Sequence, residues 1–206
     1  MTVLRFDRES LSKKLSSLPR RLRTAFAAAC AQRLMPGYAR FASSNLNANA
    51  NPQPASKILN ELWNDIQSGS SDPGKLKRDV EACETLIPDS EANYFEGIEY
   101  VEEALFSLAY AIDSELKGGA EEAVWAAEQG PNSLFRFVER LMGYAESRAD
   151  MARIDSHPLM QAELRRQEAD LADLESAAKN PGSEPAIIAR IRRRAEADSE
   201  FFFRLP

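Results

Sequence analysis

Apolar residues recur along this chain at spacings of three, four and seven, and no stretch alternates apolar with polar. That periodicity predicts helices and no strands. The clearest stretch is Asn93 to Lys117, where Phe95, Ile98, Leu105, Leu108, Ile112 and Leu116 mark one helix face. Val101, Ala104 and Ala111 add apolar surface on a second side, which predicts a central helix with neighbours around it. Asn93 with Glu96 forms a capping-box-like start, and Gly118-Gly119 supplies the stop.

The same reading divides the rest of the chain. A short amphipathic helix spans Arg8 to Leu18, and Pro19 leads a second with Leu22, Phe26, Ala29, Cys30 and Arg33 on one face. Pro36-Gly37 is expected to end that helix, with one more turn at Tyr38 to Phe41. Ser43 to Ser56, rich in Asn and Pro, reads as a surface loop. Helices follow at Pro54 to Gln67 and Leu76 to Ile87, separated by the break SGSSDPG. Gly119 to Gln129 is helical. Gly130-Pro131 then either kinks the helix or divides it from a continuation through Phe135, Val138 and Leu141. Ser147 to Ser156 reads as a connector. Pro158 to Lys179 is a long amphipathic helix, and Pro185 to Ser199 the last one. The predicted architecture is all-α: a single-domain helical bundle over residues 1–206, with about seven or eight helices around 93–117.

Composition agrees with that picture. Ala, Glu, Arg and Leu abound while Val and Thr are scarce, which favours helix over strand. At 206 residues the chain can bury roughly 70% of its unfolded surface in one core. No run approaches the roughly 20 apolar residues of a membrane span. Cys30 and Cys83 form no CxxC and read as buried thiols, which points to the cytoplasm.

Charge changes the picture more. Residues 1–40 hold nine basic and two acidic residues, a balance of +7. The chain as a whole stands at −6, so the remainder carries −13. Either the two parts neutralise each other within the fold or across a homodimer, or the basic segment meets an anionic partner. Basic residues are not interleaved with exposed aromatics, so nucleic acid is not the expected partner. The acidic body points instead to a basic protein partner, of which an immunity-type inhibitor of a toxin is one concrete form.

Three stretches resemble the YjaG-like family of bacterial proteins, known as domain of unknown function 416. The first is Phe26-x3-Cys30-x2-Arg33-x2-Pro36-x-Tyr38-x2-Phe41, with Ile58-Leu59-x2-Leu62-Trp63 after the loop. The second is Glu84-x2-Ile87-Pro88, and the third is His157-Pro158 before a long acidic helix. Order and spacing carry the match rather than any single motif. The resemblance implies an all-α, cytoplasmic bacterial protein and carries over no catalytic residues.

Few residues suggest chemistry. Glu96, Glu99 and Glu103 share a helix face, as carboxylates do in metal-binding bundles. Those sites also need Glu-x-x-His, and the residue three before the single histidine, His157, is Ile154. The plain reading is a solvated acidic face, with a polar inter-helix pocket for a small ligand as the alternative. His157 precedes a proline at a helix start and reads as a turn residue before it reads as a general base. No nucleophile–base pair, metal spacing or phosphate loop stands out, so no catalytic residue and no cofactor is assigned. Phe201, Phe202 and Phe203 in the tail 200–206 are costly to leave in water. They are expected to plug a groove on the chain's own core or to dock on a partner. The leading expectation is a non-enzymatic interaction module. The alternatives are a small-ligand binder or enzyme, and a structural homodimer.

Overall fold

The fold is taken from a computed structural model, which describes residues 3–43, 51–88, 97–200 and Phe202. Among these residues there are nine α-helices, one short 3-10 turn and no strand. The order is α1 (Arg8–Ser16), α2 (Arg20–Ser43), α3 (Pro52–Ser68), α4 (Pro73–Leu86), α5 (Ile98–Lys117), α6 (Glu121–Met142), α7 (Arg148–Asp155), α8 (Pro158–Lys179) and α9 (Glu184–Ser199).

Two helices share the centre. α5 has the expected role, with Val101, Ala104, Leu105, Leu108, Ala111 and Ile112 all fully buried. Its principal neighbour is α2, which also touches α3, α6, α8 and α9. The reason lies in the run Ala25 to Ala31, where Phe26 and Cys30 are the only larger side chains and every residue is buried. Small side chains let neighbouring helices approach the α2 backbone from several sides. The bundle is therefore organised around a pair of helices and not around 93–117 alone.

Several boundaries differ from expectation. α2 runs through Pro36 to Ser43 as one helix. Pro36 is exposed, while Met35 and Tyr38 on either side of it are buried, so packing holds the helix across the proline. α3 begins at Pro52, capped by the Asn51 side chain, so Pro52 to Ser56 are helical rather than loop. Ser147 to Ser156 is not a connector: Ser147 and Asp150 form a reciprocal capping box that starts α7. α5 begins at Ile98 after Gly97, whose φ of 88° is left-handed. The expected cap at Asn93 and Glu96 lies outside the described residues. At its other end α5 stops at Gly118, φ 73°, as the Gly-Gly pair predicts.

Most of the arginines of the basic N-terminal segment are spent within the fold, while Lys13 and Lys14 stay exposed. Arg23 donates to the Gly118 carbonyl at 2.6 Å, at the end of α5. Arg21 donates to the Ile66 and Gln67 carbonyls at the end of α3 and pairs with Glu184 of α9. Cations at helix C-termini satisfy free carbonyls and oppose the helix dipole. Arg8 reaches Glu121 and Glu128, and Arg20 reaches Glu115. Internal neutralisation thus accounts for much of the +7. Phe202 is 1% exposed and belongs to the core; Phe201 and Phe203 lie outside the described residues.

Candidate functional site, a buried arginine–carboxylate centre

Arg33 is the most heavily committed polar residue among the described residues. Its side chain is fully buried on α2, one turn from Cys30. An unpaired buried charge is prohibitively costly, so its partners are obligatory. They come from α8, where Glu163, Gln167 and Asp170 follow one another at spacings of four and three and so share one face. Arg33 Nε lies 3.0 Å from Glu163 Oε2, and Nη1 donates to Asp170 Oδ2 at 2.7 Å. The remaining nitrogen, Nη2, reaches Glu163 Oε1 at 3.2 Å and Cys30 Sγ at 3.4 Å. Arg194 of α9 completes the set, donating to Asp170 Oδ1 at 2.5 Å and reaching Asp173 at 2.9 Å. Arg33 faces both carboxylates and the part-buried Arg194 faces Asp170, so the two guanidinium groups together balance the charge of Glu163 and Asp170.

Burial pushes Glu163 above the usual carboxylate range, although Arg33 and Gln167 act against that shift. Burial also works against the Arg33 charge, but its anionic neighbours outweigh it and hold the guanidinium above its ordinary value. The Cys30 thiol is pushed up by burial and stays protonated, which makes it a poor nucleophile.

The Gly130-Pro131 pair has its explanation here. α6 is one continuous helix through both residues. Pro131 has no N–H to give the Ala127 carbonyl one turn back. Gln167 takes that place, its Nε2 donating to Ala127 O at 3.0 Å and to Glu163 Oε1 at 2.9 Å. A Cβ on Gly130 would sit 3.1 Å from Glu163 Oε1, so glycine leaves the room that carboxylate needs. The apparent helix breaker is one wall of the polar centre.

A prediction follows from this geometry. Gln167→Met should cost about 2–3 kcal/mol in urea unfolding, since it orphans a buried carbonyl and weakens the hold on Glu163. In a Pro131→Ala background the backbone N–H returns to Ala127, and the cost should shrink by about 1 kcal/mol. Strict additivity of the two changes would contradict this account.

The glutamates singled out in the sequence face α6. Glu99 pairs with Arg140, whose guanidinium also lies 5.2 Å from the centre of the Tyr100 ring. Glu103 is buried and pairs with Arg136 at 2.9 Å. Its second oxygen and the neighbouring Ser133 hydroxyl are both buried without a well-formed hydrogen bond. Burial raises Glu103 to about 7, with Ser133 and Arg136 acting the other way. Glu96 lies outside the described residues, so the shared helix face holds only for Glu99 and Glu103.

His157 is the cap of α8: its Nδ1 accepts from Leu159 N at 3.3 Å, which leaves the proton on Nε2. Burial lowers its pKa. It makes no hydrogen bond or ion pair with either glutamate among the described residues. No group of three His, Cys, Asp or Glu side chains suited to a metal ion occurs among the described residues either.

In the sequence Arg33 stands on an apolar helix face and in the first family stretch, and neither assigns it a partner. A charge inside an apolar stripe was the signal. The matching one was Glu163, Gln167 and Asp170 at inward spacing on α8.

These features define a class: an all-α bundle built on two central helices and held through a buried guanidinium–carboxylate cluster. The chain belongs to the DUF416 family, described as "Protein of unknown function (DUF416)", whose sequence model matches residues 10–200. A solved DUF416 family protein from Shewanella baltica OS155 has a similar fold, with a TM-score of 0.73 and 19% identity. The match covers 89% of this chain and 91% of that one. No curated protein matches the sequence. No helix among the described residues is long and apolar enough to cross a membrane.

Proposed function

We propose that the protein is a non-enzymatic interaction module, docking through the corner where α6 passes into α7. The observation that carries this reading is the exposure there of Leu141 at 49%, Tyr144 at 84% and Met151 at 47%. Gly143, with φ 86°, turns the chain between them. Large apolar side chains gathered on a surface otherwise rich in charge mark interaction sites, and tyrosine is a favoured anchor. Beside Tyr144, the exposed Glu146 and Arg148 carry no ion pair among the described residues, so the corner offers a partner one charge of each sign. The two buried free thiols support a place in the cytoplasm.

A photo-crosslinking residue at position 144 tests the reading in cells. One dominant adduct is expected, weakened several-fold by Leu141→Asp and absent when the probe stands at the exposed Ala186. An adduct of twice the chain's mass would identify a second copy as the partner. Equal adducts from positions 144 and 186 would refute the reading.

A further inference from the structure

A cleft of about 100 Å³ lies between the N-terminal segment, α1 and α8. Its walls are Leu4, Phe6, Leu11, Leu164 and Leu171, and Gln167 lies at its floor. The N-terminal segment is held over α8 by Gln161, whose amide accepts from Leu4 N and donates to Leu4 O, both at 2.9 Å. α1 leans on α6, which leaves the side toward α8 open. Both amide protons of Gln167 are committed to Ala127 and Glu163, so its oxygen is the polar atom left for an occupant.

The mouth has a specific charge pattern. Arg5 is paired with Asp155 at 3.5 Å, and Asp7 caps α1 through Ser10 N. That leaves Lys14 and Glu168, both exposed and both lining the cleft. Neither has an ion-pair partner among the described residues, and they do not pair with each other. One free ammonium and one free carboxylate beside a small apolar cavity match a molecule with three features: a carboxylate, an ammonium and a short aliphatic body. Four of the five apolar wall residues are leucines, so a short branched aliphatic body matches the lining.

We propose that this cleft binds a free amino acid with a branched aliphatic side chain. Lys14 takes the α-carboxylate, Glu168 takes the α-ammonium, and the side chain fills the space between Leu4, Leu11 and Leu171. The occupant would lie directly on Gln167, which links it to the Arg33 centre.

The test is calorimetric titration of the full chain with L-leucine and L-valine, alongside 4-methylpentanoate and isopentylamine. Saturable binding of leucine or valine is expected. The two compounds lacking one charged group should bind at least tenfold more weakly. Lys14→Ala and Glu168→Ala change exposed side chains, so the fold should persist, and each should weaken binding about tenfold. Leu11→Trp, which fills the cleft from its half-buried wall, should abolish it. A thermal shift with the same ligands gives an independent readout through ligand-linked stabilisation. The proposal is overturned if leucine and valine do not bind, if 4-methylpentanoate binds as well as leucine, or if the Lys14→Ala and Glu168→Ala variants bind leucine unchanged.

Discussion

Arg33→Met is expected to destabilise the protein by about 3–5 kcal/mol, the usual cost of removing one partner from a buried ion cluster. For a chain of this size that is a fall in Tm of roughly 10 °C. The physical cause is the charge left behind. Without Arg33, the one guanidinium still bonded to the pair is Arg194, on Asp170 and not on Glu163, and Arg166 acts on Glu163 without a hydrogen bond. Glu163 can escape by taking up a proton, so the loss should be larger at pH 8 than at pH 5. The double variant Arg33→Met with Glu163→Met removes one charge of each sign and leaves Asp170 with Arg194. It should recover most of the lost stability, because well-packed apolar side chains often replace a buried pair at little cost. Urea unfolding of both variants decides the matter. A single substitution costing under about 1 kcal/mol, or a double as damaged as the single, would show that the centre does not hold the bundle as described.

The second large effect is a pH dependence carried by Glu103. Its pKa is about 7 in the folded protein against a reference of 4.5, and burial is the chief cause. The folded state therefore holds a proton between those values that the unfolded state has already released. Stability must fall as pH rises through this window and level off above about 7. At 1.36 kcal/mol per pKa unit, the loss between pH 5 and pH 8 attributable to this group is about 2–3 kcal/mol. Glu103→Gln keeps the shape and removes the titration. Its stability should be flatter over that range than that of the wild-type chain, and higher at pH 8. Glu163 is shifted in the same direction, so the difference between the two profiles is the quantity that isolates Glu103. Parallel profiles would mean that Arg136 and Ser133 compensate its burial fully.

Much of the framework was legible in the sequence because the signals that carry it are local. Pro158 and Lys179 bound α8 as expected, since a proline after a capping residue and an Asn-Pro-Gly stop act within a few residues of where they stand. Gly118 ended α5 for the same reason. The family resemblance rested on order and spacing across most of the chain, and the family match over residues 10–200 agrees with it. The absence of alternating patterns correctly excluded strands among the described residues.

What the sequence by itself determined was therefore the helical periodicity, most helix ends and the family. What only the tertiary structure decided was where the breakers yield and which charges go inside. Pro36 and Pro131 look like helix ends because proline removes a backbone bond, a local cost. α2 and α6 continue through them because burial of Met35, Tyr38, Leu134 and Val138 outweighs that cost and, at Pro131, because Gln167 restores the missing bond. Arg33 meets Glu163 and Asp170 across 130 and 137 residues of chain. No periodicity links positions that far apart, since a helix pattern says which face is buried and not what it is buried against. The polar centre exists only once α2, α6, α8 and α9 pack together. Exclusion of water there turns ordinary surface residue types into an obligatory charge cluster.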